Sequence, residues 1–424
     1  MNPIGLVDIN NFYVSCERVF NPKLRNRPVV VLSNNDGCVI SRSNEAKVFI
    51  PMGAPWFQIK HKYQQSGGVA LSSNYALYAD MSNRVMSLLT QFTPRREIYS
   101  IDEAFLDLSG FGLKNLLDYG QEIKNTLFQW TGLPVCVGIA NTKTLAKLAN
   151  HCAKKRPEFN SVCNFNSMDT AVLENLLSTI EVKEVWGIGS RQSHRLQALG
   201  INTVLDLKRA HPQTLIDQFS IVMGRTLQEL NGVSCIALEE IAPAKQNIAS
   251  TRSFGITVTD YQSLSESLTL YASRAAEKAR AQKTYACSIT AFIQTSPFAA
   301  KPYYGGSLTI PLPSPTHHTP TLVKCALWIL KRIYKPGYIY QKAGVMLNDL
   351  VPEQGVQRDL LLDLQGDHDL KNHKSMRVLD AINDRFGRQS LKVASEGFKA
   401  PWKMKQEHKS PGYTTDWRGL MEVR

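Results

Sequence analysis

The sequence predicts an α+β fold, and three observations carry this prediction. First, the segments between Ile4 and Lys154 follow the order strand, helix, strand, strand, helix, strand, which is the split order of a ferredoxin-like sheet. Second, residues 168–232 show only helical periodicity. Third, strand patterns resume beyond a linker that contains Pro243, and they alternate with helical segments. A chain of 424 residues is expected to form several domains.

The predicted elements follow from hydrophobic periodicity and from the position of turn residues. In the first part of the chain they are a strand (Ile4–Ile9), a helix (Asn11–Arg18), a strand (Pro28–Leu32), a helix (Met81–Leu89), a hairpin of strands near Glu97–Tyr99 and Ala104–Leu108, a helix near Tyr119–Trp130, a strand (Val135–Ile139) and a helix from Thr142 to about Lys154. In the last part they are strands near Arg252–Val258, Ser288–Gln294 and Gly344–Leu347 and a helix (Leu264–Ala281).

Composition narrows the class of protein. The formal net charge is +13 and the sequence pI is about 9.3, so the chain is expected to bind polyanions, chiefly nucleic acid or an anionic membrane surface. No apolar run is long enough to span a bilayer, and no secretory signal precedes the first strand, so we expect a cytoplasmic protein without membrane contact. The eight cysteines are scattered singly, which predicts reduced thiols and no zinc motif of the Cys-x-x-Cys type.

Three acidic residues fall in two short motifs that lie far apart in the chain. Asp8 lies near the end of the first strand, and Asp102 and Glu103 lie in the turn of the predicted hairpin. Central antiparallel strands would bring the three carboxylates together, and such a cluster of hard oxygen ligands suits two Mg²⁺ ions, with Mn²⁺ as a substitute. Spacing alone leaves an alternative open, in which Asp8 is an exposed strand end and the other two are solvated turn residues.

Long sequence blocks resemble the Y-family DNA polymerases, in particular the UmuC-type catalytic subunits of the bacterial SOS-mutagenesis branch. The blocks are VDINNFYVSCE (7–17), VVLSNNDGCVISR (30–42), SSNYALYADMSNRVM (72–86), EIYSIDEAFLDLSG (97–110), VGIANTKTLAKLANHCAKK (137–155), VWGIG (185–189), RSFG (252–255), ASRAAEK (272–278) and YQKAGVML (340–347). Together they cover nearly the whole chain. The resemblance implies a right-hand polymerase with a ferredoxin-like palm, small fingers, a helix-hairpin-helix thumb and an α+β little finger.

The resemblance also implies domain boundaries. The expected domains are a palm (1–12 and 74–166), fingers (13–73), a thumb (167–236), a linker (237–249), a little finger (250–350) and a C-terminal tail (351–424).

The resemblance assigns the two metal ions to Asp8, Asp102 and Glu103, together with the backbone carbonyl of Ile9. Tyr13 matches the steric gate, an aromatic ring that excludes the 2′-hydroxyl of a ribonucleotide. Without the resemblance, Tyr13 is more simply explained as a core aromatic residue.

Five further positions match nucleic-acid or nucleotide contacts in the family. Ser41, Lys47 and Lys154 match positions near the incoming triphosphate, where charge-assisted hydrogen bonds to phosphate are expected. Gly187 and Gly189 match the thumb hairpin, in which glycine lets backbone amides approach a DNA phosphate. Taken alone, the lysines would be solvated helix charges and the glycines a helix C-cap.

A short peptide in the tail resembles the segment by which bacterial polymerases dock on the sliding clamp. Its matching residues are Gln357, Leu360 and Leu361. The resemblance further implies primer-template DNA, dNTP, a UmuD′ dimer and RecA as partners.

The expected function is error-prone translesion DNA synthesis in the SOS response, in which a DNA-directed DNA polymerase adds dNTPs to a primer end opposite damaged bases. Two alternatives stay open at this point. One is a catalytically silent DNA-binding accessory at stalled primer ends. The other is a different two-metal nucleotidyl enzyme on a ferredoxin-like palm, such as a nucleotidyl cyclase.

Overall fold

The computed structural model describes residues 2–111, 115–240, 244–299, 302–354 and 366–416. The chain divides into two compact units. Unit 1 comprises residues 1–33, 37–242 and 407–424, and unit 2 comprises residues 34–36 and 243–406. Among the described residues, none of the helices has both the length and the apolar character needed to cross a membrane.

Unit 1 contains a five-stranded sheet, a three-stranded sheet and eleven helices among its described residues. Its elements in chain order are β1 (Ile4–Ile9), α1 (Phe12–Phe20), β2 (Val29–Leu32), β3 (Val39–Arg42), α2 (Asn44–Lys47), α3 (Trp56–Gln65), β4 (Val69–Ser72), α4 (Tyr75–Leu88), β5 (Arg96–Ile98), β6 (Glu103–Asp107), α5 (Leu116–Thr131), β7 (Val135–Ala140), α6 (Lys143–Lys155), β8 (Val162–Asn164), α7 (Thr170–Ser178), α8 (Ser190–Gln197), α9 (Val204–Arg209), α10 (Pro212–Gln218) and α11 (Ile221–Leu230).

The five-stranded sheet has the order β5-β6-β1-β7-β8. Its first four strands are antiparallel neighbours, and this order confirms the ferredoxin-like arrangement expected from the sequence. Strand β1 lies at the centre, and all six of its residues are buried. Strand β8, parallel to β7, was not predicted, because three residues are too few to show a strand period.

Helix α6 packs against β7 and β1 at unusually short range. A Cβ atom on Gly138 of β7 would lie only 2.1 Å from the backbone nitrogen of Asn150 on α6, so a glycine is required there. The buried Asn150 amide donates to the carbonyl oxygens of Leu6 (3.2 Å) and Cys136 (2.9 Å). These contacts fix the position of α6 against the strand that carries Asp8.

Residues 13–73 lie between β1 and α4 and contain the second sheet, with the order β3-β2-β4. Strands β2 and β4 are parallel, and β2 and β3 are antiparallel. The sequence predicted β2 but neither β3 nor β4, each of which has only four residues. The C-terminal segment adds to this sheet, because Ser72 N–H donates to the His408 carbonyl oxygen (3.0 Å).

Between residues 168 and 232 the described structure is helical, which confirms the periodicity of the sequence. The apolar faces of α7 to α11 pack into the same core as one face of β1 and α6. A single hydrophobic core therefore supports both the acidic strand β1 and the loop that contains Gly187 and Gly189.

Unit 2 is built on a four-stranded antiparallel sheet with the order β11-β10-β12-β9. Its elements are β9 (Ile248–Val258), α12 (Tyr261–Ala281), β10 (Thr284–Thr295), β11 (Gly305–Thr316), α13 (Thr319–Ile333), β12 (Tyr340–Pro352) and α14 (Gly366–Phe386). Helices α12 and α13 cover one face of the sheet and bury a core of leucine, alanine and isoleucine side chains.

Strand β11 was not predicted, because it contains three prolines, which have no N–H for a central ladder. The structure places β11 at the edge of the sheet, where it pairs only with β10, and an edge tolerates proline. Helices α13 and α14 were also not predicted.

Much of the predicted tail packs in one unit or the other. Trp402 is buried in the core of unit 2, against Phe254 and Tyr271. In unit 1, the Tyr413 ring stacks on Phe20 with a centroid distance of 4.9 Å. Trp402 and Tyr413 therefore have packing partners that lie far away in sequence. The assignment of palm, fingers, thumb and little finger boundaries stays a prediction.

Candidate active site

Asp8 and Glu103 face each other across two central strands. The antiparallel register of β1 and β6 pairs Asp8 directly with Glu103, so that their side chains lie on the same face of the sheet. Two acidic groups from distant parts of the chain therefore meet, as the sequence predicted. Asp8 is only 7% exposed.

Asp102 joins the pair from the turn that precedes β6. The Ile9 N–H donates to the Asp102 carbonyl oxygen at 2.9 Å, which holds the turn against the end of β1. The Ser100 hydroxyl donates to Asp102 Oδ1 at 2.7 Å and accepts from the Glu103 N–H at 3.0 Å. The turn therefore orients two adjacent carboxylates that a regular strand would separate onto opposite faces.

Burial opposes the ionisation of Asp8. Burial raises the pKa of Asp8 to about 7, and the nearby charges of Glu103 and Asp102 also raise it, whereas Lys154 lowers it. The Lys154 ammonium lies 2.5 Å from Asp8 Oδ2. A cation bound to these oxygens would offset the repulsion among the three carboxylates.

A second lysine of α6 pairs with Glu103. Lys147 Nζ lies 2.9 and 3.0 Å from the two Glu103 carboxylate oxygens. The same ammonium lies 4.5 Å from the centre of the Tyr99 ring and 5.3 Å from that of Trp186. Carboxylate and aromatic rings together hold this lysine in place.

A basic group lies close to the acidic cluster. Burial lowers the pKa of Lys47, and the charges of Arg42, Lys155 and Lys154 lower it further, while Asp8 raises it. Lys47 is on α2, and its ammonium donates to the Asn44 side chain at 3.2 Å. Cations crowded in this way favour a polyanionic ligand, which would relieve their repulsion.

Tyr13 lies in a group of aromatic rings next to the acidic turn. Its ring stacks on Tyr78 with centroids 4.6 Å apart and meets Tyr75 edge-on at 6.1 Å. Burial raises the pKa of Tyr13, and the charges of Tyr75 and Asp102 add to this effect. The ring is half-buried and firmly supported, so it forms a fixed wall at the edge of the site.

Ser41 is buried on β3 beneath the first turn of α1. Its hydroxyl donates to the Asn11 carbonyl oxygen and accepts from the Val14 N–H, both at 3.4 Å. These long contacts bring Ser41 to the base of the helix that carries Tyr13.

The two glycines of the predicted hairpin lie in the loop before α8. Gly187 has φ = 87°, a conformation that disfavours other residues, and Gly189 is the N-cap of α8. Among the described residues, no heavy atom beyond the immediate chain neighbours lies within 4 Å of a Cβ built on either glycine, so the backbone there is open to a ligand. The neighbouring Trp186 indole donates to the Tyr99 hydroxyl at 3.2 Å, which connects this loop with the acidic turn.

The donor set of the acidic cluster fits divalent metal ions. It consists of carboxylate oxygens, which Mg²⁺ and Mn²⁺ prefer, and Glu103 and Asp102 lie close enough to Asp8 for their charges to raise its pKa further. Asp8, Asp102 and Glu103 could therefore hold such ions, with the basic group around Lys47 next to them.

Three residues of the candidate site were not predicted from the sequence, namely Ser100, Arg42 and Lys147. A signal for Lys147 was present, because Lys147 and Lys154 are separated by two helical turns and so lie on one face of α6. Ser100 and Arg42 gave no comparable signal, since a single hydroxyl or guanidinium acquires its partners only in the folded chain. The predicted clamp peptide, with Gln357, Leu360 and Leu361, lies outside the described residues.

Family models match most of the chain. Residues 7–151 match the impB/mucB/samB family, and residues 245–360 match the C-terminal domain of the same family. Residues 373–423 match a domain of unknown function, DUF4113.

Relatives match over the full length. Protein UmuC of Salmonella typhimurium is 48% identical and covers 99% of this chain and 100% of that protein. Protein ImpB of Salmonella typhimurium is 44% identical and covers 99% of each chain. DNA polymerase IV of Pelotomaculum thermopropionicum is 27% identical and covers 92% of this chain and 94% of that protein.

The fold is shared with solved polymerases. A chimera of the Y-family DNA polymerases Dbh and Dpo4 aligns with a TM-score of 0.66 and 21% identity, covering 82% of this chain and 99% of that one. An insertion ternary complex of Dbh DNA polymerase aligns with a TM-score of 0.53 and 21% identity over the same shares of the two chains. The chain therefore belongs to the impB/mucB/samB family and is a UmuC-type Y-family DNA polymerase.

Proposed function

We propose that the chain carries out error-prone translesion synthesis at the site formed by Asp8, Asp102 and Glu103. In this proposal it adds deoxynucleotides to a primer 3′ end opposite damaged template bases during the SOS response. The observation that carries the proposal is the cross-strand pairing of Asp8 with Glu103, with Asp102 beside them and a basic group at their edge. That arrangement suits phosphoryl transfer, which needs oxygen ligands for cations and positive charge for the triphosphate.

The three carboxylates, with the Ile9 carbonyl, would hold two Mg²⁺ ions, which Mn²⁺ could replace. When bound, such ions lower the pKa of the attacking hydroxyl and neutralise charge on the phosphates. On ion binding, Asp8 would separate from Lys154 and Glu103 would separate from Lys147. Both lysines form ion pairs with these carboxylates in this structure.

The other residues bind and orient the substrates. Lys47 and Lys154, together with Arg42, supply positive charge for the triphosphate of the dNTP. Ser41 supports the first turn of α1. The Tyr13 ring, which stacks on Tyr78, would exclude a ribose 2′-hydroxyl.

The thumb loop would contact the duplex. The open backbone at Gly187 and Gly189 permits close approach of a primer-template phosphate. This contact needs no base-specific side chain, as expected for an enzyme that copies any template.

The proposal also includes protein partners, in addition to DNA and dNTP. Activity would depend on a UmuD′ dimer and on RecA, as in the SOS-mutagenesis branch, and the peptide around Gln357 would dock on the sliding clamp. A cytoplasmic location follows from this role.

Primer extension past an abasic site, with Mg²⁺, UmuD′ and activated RecA supplied, tests the proposal. We expect extension by the wild-type chain and its loss, by at least about a hundredfold, in Asp102→Ala and Glu103→Gln. Tyr13→Ala should gain ribonucleotide incorporation, whereas Tyr13→Phe should not, because phenylalanine keeps the ring.

Glu122→Gln is the matched control, since Glu122 is exposed on α5 and should leave extension unchanged. Extension that survives in Asp102→Ala would refute the mechanism. DNA binding without extension in the wild-type chain, with all partners present, would favour the silent accessory instead.

A further inference from the structure

A second group of metal-ligating side chains lies in unit 2, away from the acidic cluster in sequence. His317 follows β11, Glu353 follows β12, and His373 lies on α14. One possible ligand atom of each residue lies within 4.8 Å of those of the other two. Three elements of unit 2 therefore bring two imidazoles and one carboxylate together.

His317 presents a ring nitrogen that has no protein partner. The residue is 6% exposed, and its Nδ1 atom is buried without a hydrogen-bond partner in the described structure. The same ring has a hydrogen bond to the backbone of Thr284. A histidine that binds a metal through one nitrogen commonly uses its other nitrogen in this way, to fix the ring.

Tyr285 on β10 contacts all three residues. Its hydroxyl lies 2.9 Å from His373 Nε2 and 3.5 Å from Glu353 Oε1. Its ring lies 4.5 Å from the ring of His317. A hydroxyl and an aromatic face shared in this way limit the orientations of the three side chains.

The charge around this group is compatible with a cation. Arg280 is a neighbouring base, and its guanidinium forms a two-point ion pair with Asp380, at 2.6 and 2.8 Å. The positive charge of Arg280 is therefore balanced by Asp380 and does not exclude a cation from this group.

We propose that His317, Glu353 and His373 bind one Zn²⁺ ion in unit 2. Two nitrogens and one carboxylate oxygen suit zinc, whereas Mg²⁺ prefers oxygen ligands alone. Zinc bonds of about 2.0–2.2 Å place tetrahedral ligand atoms roughly 3.4 Å apart, so small side-chain rotations would close the site. Water would be the fourth ligand, since these residues line a cavity of about 510 Å³.

The ion would connect three elements of unit 2. It would join the end of β12, the connection between β11 and α13, and helix α14, and so attach α14 to the sheet of unit 2. His373 is also the first residue of the segment that matches the domain of unknown function, so the site would connect that segment with the preceding domain.

Metal analysis of the full-length chain tests the proposal. The protein is stripped with a chelator, placed in excess Mg²⁺ to fill oxygen-only sites, and titrated with Zn²⁺ alone by calorimetry. We expect one strongly bound equivalent and a rise in Tm on zinc addition. In Glu353→Gln and His373→Gln, zinc affinity should fall at least about tenfold and the rise in Tm should disappear.

His61→Gln is the matched control, because His61 is exposed on α3 in unit 1. Circular dichroism shows whether each variant is folded, and Co²⁺ substitution distinguishes nitrogen and oxygen ligands from cysteine thiolates by their absorption. A wild-type chain that binds no zinc under these conditions overturns the proposal. Zinc affinity that is equal in the wild type, Glu353→Gln and His373→Gln overturns it as well.

Discussion

At the scale of residues, the main feature of the candidate active site is the pairing of its carboxylates with lysines of α6. Lys154 binds Asp8 and Lys147 binds Glu103, whereas the partner of Asp102 is the hydroxyl of Ser100. A cation that enters the cluster must compete with these ammonium groups. The lysines therefore both orient the carboxylates and weaken their affinity for a cation.

Lys147→Met tests this dual effect. Methionine preserves much of the apolar contact with Tyr99 and Trp186 but removes the charge that faces Glu103. We expect the Mg²⁺ concentration for half-maximal extension to fall, and kcat to fall by about tenfold because Glu103 loses its fixed orientation. Primer extension measured over a range of Mg²⁺ concentrations separates the two effects.

Lys124→Met is the control, because Lys124 on α5 donates hydrogen bonds to Gln121 and Asn160, which lie outside the acidic cluster. An unchanged Mg²⁺ dependence in Lys147→Met would contradict the role assigned to this lysine.

Glu17 is a second residue whose charge has a measurable consequence. It is 1% exposed on α1, and its Oε1 accepts from the Tyr78 hydroxyl (2.7 Å) and the Ser410 hydroxyl (2.9 Å). Burial raises the pKa of Glu17, although these two hydrogen bonds lower it. The folded chain therefore holds this proton more tightly than the unfolded chain does.

Glu17→Gln is expected to change the pH dependence of stability. The wild type loses stability as the pH rises from the ordinary glutamate pKa through the raised value, because Glu17 must then ionise inside the protein. Glutamine does not ionise, so the free energy of unfolding of the variant should rise relative to that of the wild type as the pH increases. Urea denaturation between about pH 4 and pH 8 measures this difference, with Glu122→Gln as the control. A difference that is constant with pH, or that falls, contradicts the prediction.

At the scale of elements, the two glycines in the loop before α8 differ in backbone conformation, and therefore in whether another residue could replace them. Gly187 has φ = 87°, in the region that glycine adopts without strain, whereas Gly189 has φ = −82° and is open to any residue. Both positions expose their backbone, so both can contact a phosphate. Only the first needs glycine for folding.

The variants Gly187→Ala and Gly189→Ala separate these effects. Gly187→Ala should lower the free energy of unfolding by about 1–2 kcal/mol, because alanine is strained at this φ, and Gly189→Ala should change it by less than about 0.5 kcal/mol. Both should weaken binding to duplex DNA, since a methyl group would separate the backbone from the phosphate. Denaturation curves and fluorescence anisotropy with a labelled primer-template measure the two quantities. Equal stability losses would show that the φ angle of Gly187 does not matter.

At the scale of the whole molecule, the net charge of +13 predicts electrostatic binding to DNA. Because each phosphate contact releases counterions, affinity for primer-template should fall at least about tenfold between about 50 and about 200 mM salt. Anisotropy titrations at several salt concentrations measure the slope. An affinity independent of salt would mean that contacts other than charge dominate.

The sequence by itself determined the α+β class, the strand order of the ferredoxin-like sheet and the helical segment, because hydrophobic periodicity is local and these elements are long enough to show it. The sequence pattern placed Asp8, Asp102 and Glu103 at the ends of strands, but spacing alone also allowed solvated acidic residues there, and the metal-binding role came from the resemblance to the Y-family polymerases. The sequence did not predict the short strands β3, β4 and β8 or the proline-rich edge strand β11, because their pairing depends on neighbours far along the chain.

Only the tertiary structure decided which groups face the carboxylates. Lys147 acquires its role from the packing of α6 against Gly138, and Ser100 acquires its role from the turn before β6. Arg42 acquires its role from its position near Lys47. The same holds for Trp402 and Tyr413 in the tail and for the group of His317, Glu353 and His373. Contacts of this kind join residues that are distant in sequence, and the folded chain alone fixes their distance and direction.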